Sequence, residues 1–253
     1  KYGTMIIKEY SSEISGEDTW HFVENNPNFD IETWKKFPAY KNKFMTKTIL
    51  ITGATSGFGK AIAETFAAAK WNCIITGRRE EKLLTFADVL QKDFGVEILP
   101  LVFDVQNRSQ VFDAIASIPT QWQHIDVLVN NAGLALGRDS FEVADIDDWD
   151  TMINTNVKGL LYVSKAVMPL MIANKKGHII NIGSTAAKDM YQFGNVYCGT
   201  KAAVDAISHT MRIDLLPHQI KVTAIHPGAA ETEFSLVRFK GNESKAKQTY
   251  NGF

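Results

Sequence analysis

Thr48-Ile49-Leu50-Ile51-Thr52-Gly53-Ala54-Thr55-Ser56-Gly57-Phe58-Gly59 is a short apolar run that ends in three spaced glycines and leads into a helical stretch, Gly57–Lys70. An aliphatic run of this length reads as a buried strand. Glycines spaced in this way let the chain turn tightly and bring backbone N–H groups and a helix N-terminus onto a pyrophosphate. Three glycines are also ordinary turn punctuation, and their place between a strand and a helix is what favours a dinucleotide. Thr55 and Ser56 add hydroxyls that suit a phosphate and suit a turn equally well.

Outward from this stretch, short β-rich runs alternate with helical ones. The strands are expected at Thr48–Thr52, Asn72–Thr76, Val96–Phe103, Ile125–Asn130, His178–Ile182 and Lys221–Ile225. The helices are expected at Gly57–Lys70, Glu80–Asp93, Arg108–Ile118, Asp147–Asn174 and Val196–Leu216. Such alternation predicts an α/β fold, a doubly wound parallel sheet of the Rossmann type, with ligands bound beyond the carboxyl ends of its strands. The dinucleotide-binding domain is expected over residues 45–253. Residues 1–44 form an extension of unassigned role that carries Trp20, Trp34, Phe22, Phe29 and Phe37, with a short helix expected at Asp30–Phe37. After the sixth strand no apolar run remains before Phe253, so a C-terminal strand is expected to be missing.

The composition sets bounds. A chain of 253 residues with 45% apolar content and a formal net charge of -1 fits a globular protein and offers no electrostatic case for nucleic acid or an anionic membrane. Neither is expected as a partner. The two cysteines, Cys73 and Cys198, lack a Cys/His cluster of ligand spacing. Reduced thiols, a cytoplasmic setting and no metal are therefore expected.

Several residues then fall at strand ends. Thr76-Gly77-Arg78-Arg79 closes the second strand, where a pocket for NAD places a carboxylate and a pocket for NADP an arginine. Arg78 and Arg79 predict NADP, with Arg78 as the direct ligand of the 2′-phosphate. Asp104 follows the third strand, suited to an adenine edge or to a cap. Asn130-Asn131-Ala132-Gly133 ends the fourth. Asn156 lies with Asn154 and Gly159 inside a helical segment, poor company for a helix interior; a kink there would free a backbone group for a water. Ser184 stands just beyond the fifth strand.

Tyr197-Cys198-Gly199-Thr200-Lys201 places a phenol and an ammonium on one helix face. A tyrosine is a poor base at neutral pH, and the Lys201 charge together with an oxidised nicotinamide would lower its pKa. A dinucleotide turn followed by a strand-end serine and this pair argues for hydride transfer between a nicotinamide and an alcohol or carbonyl.

In this order, the glycine turn, Asn130-Asn131-Ala132-Gly133, the Asn156 segment, Ser184, the Tyr197/Lys201 pair and His226-Pro227-Gly228 resemble the short-chain dehydrogenase/reductase family over about Met45 to Phe234. Within it, the runs Asn131–Gly137, Asn181–Ala186 and Thr232–Gly241 are similar to the bacterial NADP-dependent 3-hydroxy acid dehydrogenases, which oxidise serine, allo-threonine and related acids. The resemblance implies Tyr197 as general acid/base, Lys201 as its modulator and ribose ligand, Ser184 as the hydroxyl that positions the carbonyl, and Asn156 as holder of a relay water. It implies an NADP site built from Gly53, Thr55, Ser56, Gly57, Phe58, Gly59, Arg78, Arg79, Asp104, Val105, Asn131, Ala132, Gly133, Tyr197, Lys201, Pro227, Gly228 and Thr232. It also implies a homo-oligomer, dimer or tetramer, in the complete enzyme. A substrate carboxylate needs a cation; Arg238 and Lys240 are on offer, and the planar fork of Arg238 suits it better. Two other readings stay open: a carbonyl reductase of a neutral ketone or sugar, and an NADP-binding module without turnover.

Overall fold

The computed structural model describes residues 46–248, which belong to a compact unit beginning at Thr46. The extension and its expected helix at Asp30–Phe37 lie outside the described residues. Six parallel strands form one sheet: β1 (Thr48–Ile51), β2 (Asn72–Gly77), β3 (Ile98–Val102), β4 (Val127–Asn130), β5 (Gly177–Ile182) and β6 (Ile220–Ile225), in spatial order β3-β2-β1-β4-β5-β6. The helices are α1 (Gly57–Ala68), α2 (Glu80–Phe94), α3 (Arg108–Ala116), α4 (Ile146–Ile153), α5 (Leu160–Ala173), α6 (Asn195–Leu215), α7 (Glu233–Arg238) and α8 (Glu243–Gln248).

The sheet is buried on both faces, which is why its strands read as continuous apolar runs rather than alternating ones. Successive side chains of β1 feed opposite layers. Leu50 joins Val111 and Ile115 of α3, Val163 and Val167 of α5 and Val204 of α6 on one face. Ile49 and Ile51 join Ala63 of α1 and Leu83, Phe86 and Leu90 of α2 on the other. Among the described residues no helix is long and apolar enough to cross a membrane.

The strand order reverses between β1 and β4, neighbours in the sheet with crossovers leaving in opposite directions. This is the switch point where open α/β sheets leave a crevice at their carboxyl ends. Asn131 closes its base: the side-chain Nδ2 donates to the carbonyls of Thr52 (2.8 Å) and Gly53 (3.1 Å), and the Thr52 hydroxyl accepts from the amides of Asn131 and Ala132, each at 3.0 Å.

The segment Asp147–Asn174, expected to be helical with a kink near Asn156, is three pieces. A π turn at Asn154–Gly159 separates α4 from α5. The reason is local packing. A Cβ on Gly159 would lie 2.8 Å from Cγ2 of Val105, so this turn is pressed against the loop after β3. Its widened turn carries Asn156 into the interior. The short helices α7 and α8 were not expected; Thr232 caps the first of them, its hydroxyl accepting from the Phe234 amide at 3.2 Å.

Candidate active site

A cleft of about 590 Å³ runs along the carboxyl ends of the strands. Gly53, Thr55, Ser56, Gly57 and Phe58 from the first turn line one part of it, with Arg78, Arg79, Asp104 and Val105 beside them. Asn131, Ala132 and Gly133 line its floor, and Ser184, Tyr197, Lys201, Pro227, Gly228, Thr232 and Arg238 line the remainder. Two of the expected residues do not reach the wall. Gly59 is packed beneath it, where a Cβ would stand 2.3 Å from the Gly53 carbonyl and 2.4 Å from Asn131 Nδ2, so a glycine here is what lets the turn close on Asn131. Asn156 is buried and fully engaged: its amide group exchanges two 2.8 Å hydrogen bonds with the Leu134 backbone and donates to the Thr200 hydroxyl at 3.0 Å. Its side chain therefore braces the loop after β4, and only its backbone is left for a water.

Tyr197 and Lys201 stand in the first turns of α6. Tyr197 is 8% exposed, its ring edge-on to Phe234 at 5.8 Å. Burial pushes its phenol above the usual tyrosine range, while a hydrogen bond with Ser184 and the charge of Arg238 act in the opposite sense. The positive charge expected to lower this pKa, Lys201 together with an oxidised nicotinamide, has that burial to offset. Lys201 is 6% exposed, donates from Nζ to the Ile182 carbonyl at 2.9 Å, and is pulled down by burial to about 8.

Ser184 caps a single 3-10 turn, its Oγ accepting from the Ala186 amide at 3.2 Å. That bond directs the hydroxyl oxygen and leaves its proton free to donate.

The two arginines after β2 have different surroundings. Arg78 is exposed, 3.5 Å from Asp104. Arg79 donates from Nη2 to Thr55 Oγ1 at 2.9 Å, on the glycine turn itself, and from Nη1 to Glu233 at 3.1 Å. Lys82, one turn along α2, donates to the other Glu233 oxygen at 2.6 Å. These two cations hold the Glu233 carboxyl below the usual range, Lys82 contributing most. Sequence reasoning missed Glu233, the first residue of α7, which joins the arginine corner to the helix that carries Arg238.

Arg238 and Lys240 prove unlike. Lys240 is exposed and paired with Asp148 (3.0 Å) and Asp145 (3.6 Å), away from the cleft. Arg238 is 6% exposed. Its Nε donates to the Gly137 carbonyl (2.9 Å) and its Nη1 to the Tyr191 hydroxyl (2.8 Å), with the guanidinium 5.6 Å from the Tyr197 ring. It is fixed in place, a buried cation beside the phenol. Tyr191 lines the same cleft and was also missed; a tyrosine between Met190 and Gln192 carries no spacing signal.

A NADP-dependent 3-hydroxy acid dehydrogenase of Salmonella typhi is 49% identical over 203 residues, 80% of this chain and 80% of that protein. The enzyme of the same description from Schizosaccharomyces pombe is 42% identical over 81% of this chain and 79% of its own length. A solved structure described as the closed form of serine dehydrogenase complexed with NADP+ superposes with a TM-score of 0.77 at 46% identity, over 81% of this chain and 82% of that one. The family model described as short chain dehydrogenase matches residues 47–242, and with most of its length so matched the chain belongs to the short-chain dehydrogenase family.

Proposed function

We propose that the protein transfers a hydride between NADP and a small 3-hydroxy acid of the serine, allo-threonine or 3-hydroxypropionate type. The observation that carries the substrate class is Arg238, a buried cation held within the cleft and beside Tyr197. A neutral ketone or sugar would leave that charge without an anionic partner, at a cost in desolvation. The cofactor fits the residues present. The glycine turn, with Gly53 and Gly57 at positive φ, lines the cleft where the α1 N-terminus begins, the setting that receives a pyrophosphate. Arg78 and Arg79 stand exposed at the corner suited to a 2′-phosphate.

NADP, when bound, supplies or accepts the hydride. The chain's own residues handle the proton and the geometry. In the oxidative direction Tyr197 Oη takes the hydroxyl proton of the substrate, and the Ser184 hydroxyl donates to the same substrate oxygen. In the reductive direction Tyr197 Oη gives the proton back. Because burial raises the Tyr197 pKa, the phenolate needs positive charge nearby; Lys201, still largely protonated at neutral pH, and Arg238 supply it. The backbone of Asn156, in the π turn, holds the water that refills Tyr197. Arg238 receives the substrate carboxylate in a bidentate fork. An NADP-binding module without turnover would have no use for a serine hydroxyl bonded to a buried tyrosine. Two buried free cysteines fit a reducing, cytoplasmic setting, and exposed Ile213 and Leu216 at the end of α6 fit a homo-oligomer.

The test follows NADPH by absorbance with serine, 3-hydroxypropionate and a neutral alcohol of similar size, on this chain and on Arg238→Leu. A lost charge-assisted contact worth about 1.5–3 kcal/mol should raise KM for the acids by roughly ten- to a hundredfold, with much less change for the neutral alcohol. Equal losses on all three substrates remove Arg238 from the site, and no turnover with any of them removes the activity.

A further inference from the structure

Ser184 can hold a substrate oxygen only if its own backbone stays still, and a histidine outside the cleft lining takes hold of that backbone. His226 directly follows β6. Its Nδ1 lies 3.0 Å from the Ser184 carbonyl oxygen and 3.3 Å from the Ser184 amide nitrogen. Its Nε2 lies 3.0 Å from Oδ1 of Asp205, on α6. The other Asp205 oxygen accepts from Lys188, and His209 approaches at 3.8 Å, so the carboxylate is itself anchored and stays ionised.

An ionised carboxylate only accepts, so Nε2 of His226 carries a proton and the two ring nitrogens have separate roles. In the neutral ring Nδ1 is an acceptor and takes the Ser184 N–H. In the imidazolium Nδ1 is a donor, and the nearer Ser184 carbonyl becomes its partner. The ring thus holds the backbone of Ser184 in either state, by its amide or by its carbonyl. The sequence leaves room for it. A Cβ on Gly183 would lie 2.5 Å from Nδ1 and 2.7 Å from Cε1, so the imidazole sits where a side chain before Ser184 would be. The flanking amides are tied to the same strand end, Gly183 N–H to Ile225 O at 2.7 Å and Thr185 N–H to Pro227 O at 3.0 Å.

We infer that His226, oriented by Asp205, is a positioning residue for Ser184, fixing the serine's backbone so that its Oγ stays in register with Tyr197. The inference rests on the role proposed above for Ser184. It does not require His226 to touch substrate or cofactor.

Asparagine and glutamine separate the two ends of the ring. An Asn amide reaches about as far as Nδ1 and can keep the Ser184 contact; a Gln amide reaches about as far as Nε2 and can keep only Asp205. Geometry lost near a reacting group costs on the order of tenfold to a hundredfold in rate. His226→Gln should therefore lower kcat by about tenfold or more with the dissociation constant for NADPH unchanged, and His226→Asn should restore most of the rate. On a Ser184→Ala background, His226→Gln should add little, because residues that act through one another are not additive. Equal damage from Asn and Gln, or the full loss of His226→Gln repeated on Ser184→Ala, overturns the assignment. If Ser184→Ala itself leaves turnover intact, the role of Ser184 fails and this inference fails with it. That outcome is distinct from an active role for Ser184 with His226 irrelevant to it.

Discussion

Removing the Lys201 charge should make the protein more stable while it destroys turnover, and the size of the effect follows from the burial of that side chain. Lys201 Nζ rests on a backbone carbonyl, not on a carboxylate. Its folded pKa is drawn from the ordinary 10.5 down to about 8 by burial. The folded state therefore binds fewer protons than the unfolded one between those values, so stability rises with pH across that window and the penalty is complete below it. At about 1.4 kcal/mol per pH unit the full penalty at neutral pH is about 3 kcal/mol. Raising the pH from 7 to 9.5 should recover about 2 kcal/mol of it.

In Lys201→Met the titrating group is gone and the Ile182 carbonyl loses its donor, a loss of about 1–2 kcal/mol. The variant should thus exceed the parent at pH 7 by roughly 1–2 kcal/mol and should lack the rise toward pH 9.5. The assay is urea unfolding followed by far-ultraviolet circular dichroism, without cofactor, at a series of pH values. With a slope of about 3 kcal/mol per molar urea, the parent midpoint should climb by roughly 0.7 M over the series. Tyr197, whose pKa is raised, withdraws stability only as pH passes above its ordinary value of 10, and it is common to both proteins. Parallel stability curves for parent and variant between pH 7 and 9.5 would refute the depressed lysine.

Tyr197→Phe removes the proton and little surface, so turnover should fall by at least about a hundredfold while the NADPH dissociation constant, read by fluorescence titration, stays within about twofold of the parent's value. Retained turnover would remove Tyr197 as the acid/base. At the arginine corner, Arg79 is anchored to the glycine turn through Thr55 and shares Glu233 with Lys82, so Arg79→Ala should weaken NADPH far more than NADH. Glu233→Gln should tighten NADPH by only a fewfold, the scale of exposed ion pairs, with NADH unchanged; equal shifts for both cofactors would show that these charges do not meet the 2′-phosphate.

The sheet was legible because its strands are buried on both sides. Continuous runs such as Thr48–Ile51 and Asn72–Thr76 leave little else for the chain to do, and their order placed the glycine turn, Asn131, Ser184 and Tyr197 at one edge. Register-level detail was less legible. The strand expected at Val96–Phe103 is only Ile98–Val102, since propensity does not mark where pairing with β2 stops. The helix α7 has six residues, too few for a hydrophobic period, though Thr232 followed by Glu233 carries an N-terminal cap signal. The partners of Asn156, Arg79 and Arg238 lie far away in the chain, and no local pattern announces Leu134, Glu233 or Tyr191. The need for a cation near the substrate carboxylate, with the fit of a planar fork, singled out Arg238 from chemistry alone, whereas the pairing of Lys240 with Asp148 and Asp145 at α4 has no local signal.

The bonds from Asn131 to the carbonyls of Thr52 and Gly53 join parts of the chain itself and need no nucleotide to form. The glycine turn is thus held by the fold, and little conformational freedom remains to be lost there when a pyrophosphate docks. Rigidity of this kind ties two quantities that are often independent. A substitution that loosens the Asn131 tie should lower the melting temperature and the cofactor affinity together, and saturating cofactor should then restore part of the lost thermal resistance through mass action. In such a design the binding loop belongs to the folding core, and its tolerance of change is that of an interior residue rather than of a surface turn.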